Sequence, residues 1–177
     1  MSNIVLIGFM GTGKSDVGKK VAEQLGFSYL DTDEVIEKTE KKKINDIFKE
    51  NGERYFRDLE TEVIRTLQDY DRFVIATGGG MVLRPENVQM LKQIGPLILL
   101  YTKPEVIFER VKFVKNRPLI EEGDKQERIR EILKKREPLY EKVADYKIDT
   151  SNLTIDKVVK KVIEYFKELN NIALENK

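Results

Sequence analysis

One eight-residue segment near the start of the chain constrains its fold more than any other. Residues 8–15 read Gly-Phe-Met-Gly-Thr-Gly-Lys-Ser and match the pattern G-x-x-x-x-G-K-[ST] at all four fixed positions. The apolar run 4–7 precedes this segment, and an amphipathic helical pattern over residues 17–25 follows it. The glycines of such a loop let backbone N–H groups turn toward one anion at a helix N-terminus. The segment therefore predicts a phosphate site, and an ordinary glycine-rich turn explains these positions and flanks poorly.

The residue types at the end of the motif indicate nucleotide chemistry. Lys14 would bridge the β- and γ-phosphates of a nucleoside triphosphate, and the Ser15 hydroxyl would ligate Mg²⁺. The chain contains no Cys and no His, so general-base and cation-binding roles fall to Asp and Glu. Its 32 basic and 31 acidic residues leave a net charge of +1, without the basic excess that nucleic-acid binding needs. We therefore expect an enzyme that uses ATP and one Mg²⁺ ion and does not bind nucleic acid, and as a separate expectation we take it to be a monomer.

The remaining apolar runs predict a layered fold. Continuous apolar stretches at 27–30, 73–76 and 97–101, with a weaker one at 146–148, are typical of parallel strands covered on both faces. Helical patterns alternate with these strands, which predicts an α/β doubly wound sheet. No linker divides the 177 residues, so one domain is expected. The apolar stretch 4–10 is too short for a signal peptide or a membrane span and has no basic residue before it, which favours a cytoplasmic protein.

Further polar residues follow the predicted strands. Asp31-Thr32-Asp33 comes after the second strand, where carboxylates could support a magnesium ion and an acceptor hydroxyl, although capping or turn duty explains them equally well. Arg57 and Glu60 are three residues apart on a predicted helix; the carboxylate could orient the guanidinium, but an exposed ion pair is the simpler interpretation. The run Gly78-Gly79-Gly80 indicates either a close approach of backbone to a ligand or a tight turn.

A regulatory GTPase is the main alternative outside the enzymes. That class needs a D-x-x-G element, and no Asp in this chain lies three residues before a Gly. It also needs an [NT]-K-x-D sequence, to which the nearest approach is Tyr146-Lys147-Ile148-Asp149, with Tyr in the first position. The sequence therefore disfavours a nucleotide-dependent switch.

Taken in order, these segments resemble the shikimate kinase family over residues 3–166. The resemblance rests on the order and spacing of residues 8–15, Asp31-Thr32-Asp33, Phe56-Arg57-x-x-Glu60, Gly78-Gly79-Gly80, Arg117-Pro118-Leu119 and Arg136-Glu-Pro-Leu-Tyr140. It implies a three-layer sandwich similar to nucleoside monophosphate kinases, with a five-stranded parallel sheet. It also implies a substrate-binding region at about 32–62 and a mobile lid at about 112–124. A gluconate or nucleotide kinase on the same scaffold is the runner-up.

The resemblance also implies residue roles for the reaction of ATP with shikimate to give ADP and 3-phosphoshikimate. Asp33 would be the base for the attacking hydroxyl, Arg57 and Arg136 would hold the carboxylate, and Glu60 would hold Arg57. Arg117, on the lid, would act with Lys14 in catalysis. The implied ATP contacts are Gly11, Thr12, Gly13, Lys14, Ser15, Asp16, Arg110 and Arg117; the shikimate contacts are Asp33, Arg57, Gly78, Gly79, Gly80 and Arg136; the Mg²⁺ contacts are Ser15 and Asp31. The loop 149–154 lacks the Arg and Pro that some relatives carry near adenine.

Overall fold

The computed structural model describes residues 3–114, 118–120 and 123–175, with side chains up to residue 171. Its strands are β1 (Ile4–Ile7), β2 (Ser28–Asp31), β3 (Phe73–Ala76), β4 (Leu97–Tyr101) and β5 (Tyr146–Asp149). Its helices are α1 (Lys14–Leu25), α2 (Thr32–Glu40), α3 (Ile44–Thr66), α4 (Pro85–Ile94), α5 (Pro104–Val111), α6 (Lys125–Val143) and α7 (Ile155–Glu175). Short 3₁₀ turns cover Met81–Leu83 and Pro118–Ile120.

The five strands form one parallel sheet in the order β2-β3-β1-β4-β5, which confirms the expected doubly wound architecture. Strand β2 starts one residue later than the apolar run predicted, at Ser28. Phe27 lies outside the strand because its N–H donates to the Ala22 carbonyl at 2.9 Å, which closes the end of α1. Its ring packs edge-on against Phe166 of α7, with ring centroids 5.8 Å apart.

Strand β1 shows why the sheet needs a helical layer on each face. All four of its side chains are fully buried. Val5 and Ile7 pack into a core with side chains of α3, α4 and α6, whereas Ile4 and Leu6 pack into a second core with α1 and α7. Because successive side chains of a strand point to opposite faces, a fully apolar strand is stable only when both faces are covered.

The fold brings the polar segments to one edge of the sheet. In a parallel sheet the carboxyl ends of the strands share an edge, where open α/β folds bind ligands. Residues 8–15 follow β1, Asp31 ends β2, and the glycine run follows β3. Helix α3 is interrupted at Gly52, whose φ of 80° is non-helical, and its second half carries Arg57 and Glu60 to the same edge. Within the described part of the chain, no helix is long and apolar enough to cross a membrane.

Candidate active site

The loop between β1 and α1 has the backbone conformation expected of a phosphate-binding loop. Gly8, Gly11 and Gly13 have positive φ angles of 138°, 74° and 96°. The Lys14 ammonium donates to the carbonyl oxygens of Gly8 and Phe9, each at 2.8 Å, so it lies across the loop. A cationic group and the N-terminus of α1 therefore face the same space, which favours an anion there.

A hydroxyl and a carboxylate stand next to the loop. The Ser15 hydroxyl donates to Asp31 Oδ2 at 2.9 Å, and the other oxygen of Asp31 accepts the backbone N–H of Asp33 at 3.0 Å. Asp31 therefore caps α2 and also contacts the phosphate loop, so its two interpretations from the sequence are compatible. Ser15 and Asp31 line a cavity of about 450 Å³ above the loop, together with Lys14. Hard oxygen groups of this kind suit Mg²⁺, which keeps several waters and is bound with substrate phosphates.

Asp33 lies at the junction of two cavities. It lines the cavity above the phosphate loop, and it also lines a smaller cavity of about 60 Å³ beside it. The smaller cavity combines charged groups with an apolar wall; its lining residues include Asp33, Arg57, Glu60, Gly79, Gly80 and Arg136, with Phe48, Phe56, Pro118 and Leu119 on the apolar side. A small hydroxylated acid in this second cavity, which we call the acceptor cavity, could place a hydroxyl beside Asp33 and a phosphoryl donor.

Two buried arginines supply the positive charge of the acceptor cavity. Arg57 is 7% exposed and Arg136 is 8% exposed. Arg57 donates to Glu60 at 2.7 Å and to Glu53 at 2.7 Å and 3.2 Å. The interpretation of Arg57 and Glu60 as an exposed pair is therefore wrong, because helix α3 turns both side chains into the protein. Forked guanidinium donors match a planar carboxylate, so two of them in one cavity favour a carboxylic acid as ligand.

The glycine run allows the charged groups to approach the backbone. A β-carbon added at Gly80 would lie 1.9 Å from Arg57 Nη1, so the guanidinium packs directly against this glycine. A β-carbon at Gly78 would lie 2.5 Å from Asp33 Oδ1 and 3.1 Å from Glu60 Oε1. Any side chain at these two positions would displace the polar groups, and the close approach explains Gly78 and Gly80 better than a turn alone.

Glu60 is the most perturbed carboxyl group of the site. Its side chain is fully buried, and its Oε1 accepts no hydrogen bond from the described residues. Burial raises the pKa of Glu60 to about 7, against the lowering effect of the Arg57 guanidinium, and the nearby charge of Asp33 also raises it. Because the site contains a carboxyl group with a pKa near neutrality, its charge balance depends on pH in the physiological range.

A third cavity of about 450 Å³ lies on the other side of the phosphate loop. It is mainly apolar and is lined by Gly11, Thr12, Gly13, Asp16, Val17, Arg110, Val111, Val114, Thr150, Leu153, Ile155 and Val158. The Arg110 guanidinium donates to the Gly11 carbonyl at 2.9 Å and to the Thr150 carbonyl at 3.4 Å, so it forms one wall. An apolar slot next to a phosphate loop can take a purine base.

The structure brings the site residues expected from the sequence to one region, apart from Arg117. Arg117, expected on a lid, lies outside the described residues. Pro118 and Leu119, which follow it, line the acceptor cavity, and Ile120 is fully buried. The sequence indicated no role for Phe48 or Tyr140. Helical periodicity predicts which helix face carries Phe48 but not what that face contacts. The hydrogen bond of Tyr140 joins residues 61 positions apart, which no local pattern predicts. No group of three or more Asp or Glu side chains that could hold a metal ion occurs among the residues described.

Comparisons with known proteins agree on one family. The sequence model of the family described as "SKI: Shikimate kinase" matches residues 10–167. A curated shikimate kinase of Thermodesulfovibrio yellowstonii is 53% identical over 171 residues, covering 97% of this chain and 98% of that protein. A curated shikimate kinase of Pelotomaculum thermopropionicum is 49% identical over 172 residues, covering 97% of this chain and 99% of that protein.

A solved structure gives the same result in three dimensions. The shikimate kinase from Acinetobacter baumannii, solved in complex with shikimate, has a TM-score of 0.91 and 38% identity. The match covers 95% of this chain and 94% of that one.

Proposed function

The chain belongs to the shikimate kinase family; it is an ATP-using phosphotransferase of the shikimate pathway, and we propose that it phosphorylates the 3-hydroxyl of shikimate through the residues described above. The observation that carries the proposal is the position of Asp33, which borders both the phosphate cavity and the acceptor cavity. A hydroxyl held beside this carboxylate would face the γ-phosphoryl group of ATP in the neighbouring cavity. The product would be 3-phosphoshikimate, which leads to chorismate and the aromatic amino acids.

Lys14 and the loop would bind the phosphates. The Lys14 ammonium would leave the carbonyls of Gly8 and Phe9 when an anion enters. It would then neutralise charge that develops on the transferred phosphoryl group. Ser15, with Asp31 acting through water, would hold Mg²⁺, and the ion would supply positive charge to the phosphates. The 2.9 Å contact between Ser15 and Asp31 supports this pairing, since both residues line the phosphate cavity.

Asp33 and the two arginines would contact different groups of shikimate. Asp33 would accept the proton of the 3-hydroxyl as its oxygen attacks phosphorus. Arg57 and Arg136 would bind the carboxylate and so fix the ring, with Glu60 orienting Arg57 and the glycine run supplying backbone donors. Phe48 and Phe56 would cover the apolar face of the ring. Arg117 remains a predicted phosphate contact on a lid that excludes water.

The base would bind on the side of Arg110. The apolar walls Val17, Leu153 and Val158 support a purine in this cavity, with the guanidinium of Arg110 along one face. Thr12 and Asp16 would flank the phosphates from the same side. The two carbonyls that Arg110 already holds keep its side chain in place before the nucleotide arrives. We expect a monomeric enzyme that works in the cytoplasm, where ATP is supplied.

An ADP-release assay with a panel of acceptors tests the proposal. The protein would be supplied with ATP and Mg²⁺ and with shikimate, quinate, gluconate or a nucleoside monophosphate. We expect rapid ADP release only with shikimate, and little without an acceptor. If gluconate or a nucleotide were phosphorylated faster than shikimate, that compound would be the acceptor instead. A lack of turnover with every acceptor would favour a nucleotide-dependent switch.

A further inference from the structure

Tyr140 is a buried titratable side chain for which the proposed function has no role. It is 3% exposed, and its hydroxyl donates to the Gly79 carbonyl oxygen at 2.5 Å. Arg136, one turn earlier on α6, donates to the same oxygen at 3.3 Å. Burial raises the pKa of Tyr140 to about 12, although Arg136 lowers it, so the hydroxyl keeps its proton and remains a donor at neutral pH.

The residue that Tyr140 holds lies between the two substrate cavities. Gly79 lines both of them. A β-carbon added at Gly79 would lie 3.5 Å from the Gly8 carbonyl oxygen, 3.6 Å from the Tyr140 hydroxyl and 3.7 Å from the Met10 nitrogen. The backbone of Gly79 is therefore enclosed between the phosphate loop on one side and α6 on the other.

A fixed carbonyl also fixes the N–H of the same peptide. No cis peptide bond occurs in the described chain, and in a trans peptide the N–H points opposite to the C=O. With the Gly79 oxygen held toward α6, the N–H of Gly80 is directed away from that helix. Neither this N–H nor that of Gly79 donates to a protein acceptor among the described residues. Both glycines line the acceptor cavity, and the Gly80 N–H is the group that the held carbonyl orients.

We propose that Tyr140 is a positioning residue, whose hydroxyl orients the Gly79–Gly80 peptide so that the Gly80 N–H serves as a donor to the carboxylate of the acceptor. This inference rests on the proposed function, since it assumes an anionic acceptor between Arg57 and Arg136. Its distinctive consequence is selectivity. Loss of the hydroxyl weakens binding of a carboxylate acceptor and leaves an uncharged acceptor and ATP nearly unaffected.

The test compares two tyrosine hydroxyls. Tyr140→Phe removes the donor to Gly79, and Tyr165→Phe is the matched control because the Tyr165 hydroxyl also donates to a backbone carbonyl, that of Asp145, at 3.3 Å. Steady-state kinetics would be measured with shikimate and with the analogue whose carboxylate is reduced to an alcohol. We expect Tyr140→Phe to raise KM for shikimate about 2- to 12-fold, the size of one net hydrogen bond, with kcat and the ATP KM within about twofold of the parent. The analogue's KM should not change.

The possible results separate the inference from the function it rests on. Equal behaviour of the two Phe variants with shikimate overturns the role of Tyr140. A rise in KM for both acceptors alike, or loss of cooperative thermal unfolding in Tyr140→Phe, assigns the tyrosine to packing and also overturns it. If the parent protein itself fails to phosphorylate shikimate, the proposed function is what fails, and this is seen before any variant is compared.

Discussion

The phosphate cavity and the acceptor cavity differ in how the chain builds them. The first takes its main groups from residues 8–15, a single turn between a strand and a helix. The second takes Asp33 from α2, Arg57 from α3, Gly79 from the loop after β3 and Arg136 from α6. Hydrogen bonds show the same contrast, because Lys14 reaches carbonyls five and six residues away, whereas Tyr140 reaches one 61 residues away.

This difference has functional consequences. A loop that holds its shape through local hydrogen bonds can form as soon as β1 and α1 pack. The acceptor cavity exists only when α2, α3 and α6 are all docked on the sheet, so its affinity depends on packing across the molecule. We therefore expect changes at Lys14 and at Asp33, which borders both cavities, to act on the chemical step, and changes at the arginines of the acceptor cavity to act mainly on shikimate affinity.

The largest effect is expected at Lys14. An arginine that stabilises charge on a transferring phosphoryl group contributes about 10³–10⁵-fold to kcat, and we expect Lys14→Met to reduce turnover by a comparable factor. The fold should survive, because the side chain stands at the start of α1 outside both apolar cores. Lys20→Met is the control, since Lys20 lies on the same helix in an exposed pair with Asp156. Near-normal kcat in a folded Lys14→Met protein would contradict the phosphate-loop assignment.

Substitutions of Asp31 and Asp33 should affect different properties of the enzyme. Asp33→Asn keeps the size of the side chain but removes the base, so kcat should fall by about 10²–10⁴-fold while ATP affinity changes little. Asp31→Asn should instead shift the Mg²⁺ concentration needed for half-maximal activity, because Asp31 contacts Ser15. Kinetics over a Mg²⁺ titration would show both effects. If Asp33→Asn alters the Mg²⁺ dependence and spares the chemical step, the two roles are reversed.

Smaller effects, confined to one substrate, are expected from the arginines. Each charge-assisted hydrogen bond lost should cost about 1.5–3 kcal/mol, so Arg57→Ala and Arg136→Ala should each raise the shikimate KM about 10- to 150-fold. The two effects should be less than additive, because both residues hold one carboxylate. The exposed Arg65, paired with Glu62 farther along α3, provides the control variant Arg65→Ala. A neutral alcohol analogue that works as well as shikimate in the parent enzyme would rule out the clamp.

The smallest effect concerns the pH dependence of stability. The raised pKa of Glu60 means that the folded chain binds a proton that the unfolded chain releases between the ordinary value of 4.5 and about 7. Glu60 therefore stabilises the fold fully below pH 4.5, and this contribution is lost as the pH rises through about 7. Relative to Glu60→Gln, the parent should lose on the order of 1–3 kcal/mol of unfolding free energy across that window.

Denaturant unfolding at several pH values measures this difference. Glu62→Gln serves as the control because Glu62 lies two residues along the same helix and is exposed. Parallel pH profiles for the parent and Glu60→Gln would contradict a protonated buried carboxyl and would leave Glu60 as a simple ionic partner of Arg57.

Particular residues show how far sequence reasoning reached into the site. The motif at 8–15 predicted both the turn and its flanking elements, because the glycines, the lysine and the neighbouring apolar runs act on one another locally. Asp31 was ambiguous between a cap and a magnesium contact, and the structure gives it a cap and a contact with Ser15 together. For Arg57 and Glu60 the simpler interpretation failed, since a three-residue spacing defines a helix face but does not say whether that face is buried.

By itself, the sequence determined the phosphate loop, the alternation of strands and helices, and the need for helices on both faces of the sheet, since local patterns encode all three. Only the tertiary structure decided which distant side chains share the acceptor cavity. It placed Arg57 against Gly80, Glu60 and Asp33 around Gly78, and Tyr140 on the Gly79 carbonyl. These contacts join residues that are 18 to 61 positions apart, and the Gly78 N–H also donates to the Thr32 hydroxyl, 46 positions away. Their geometry depends on how helices pack on the sheet, and burial in that packing is also what raises the pKa of Glu60.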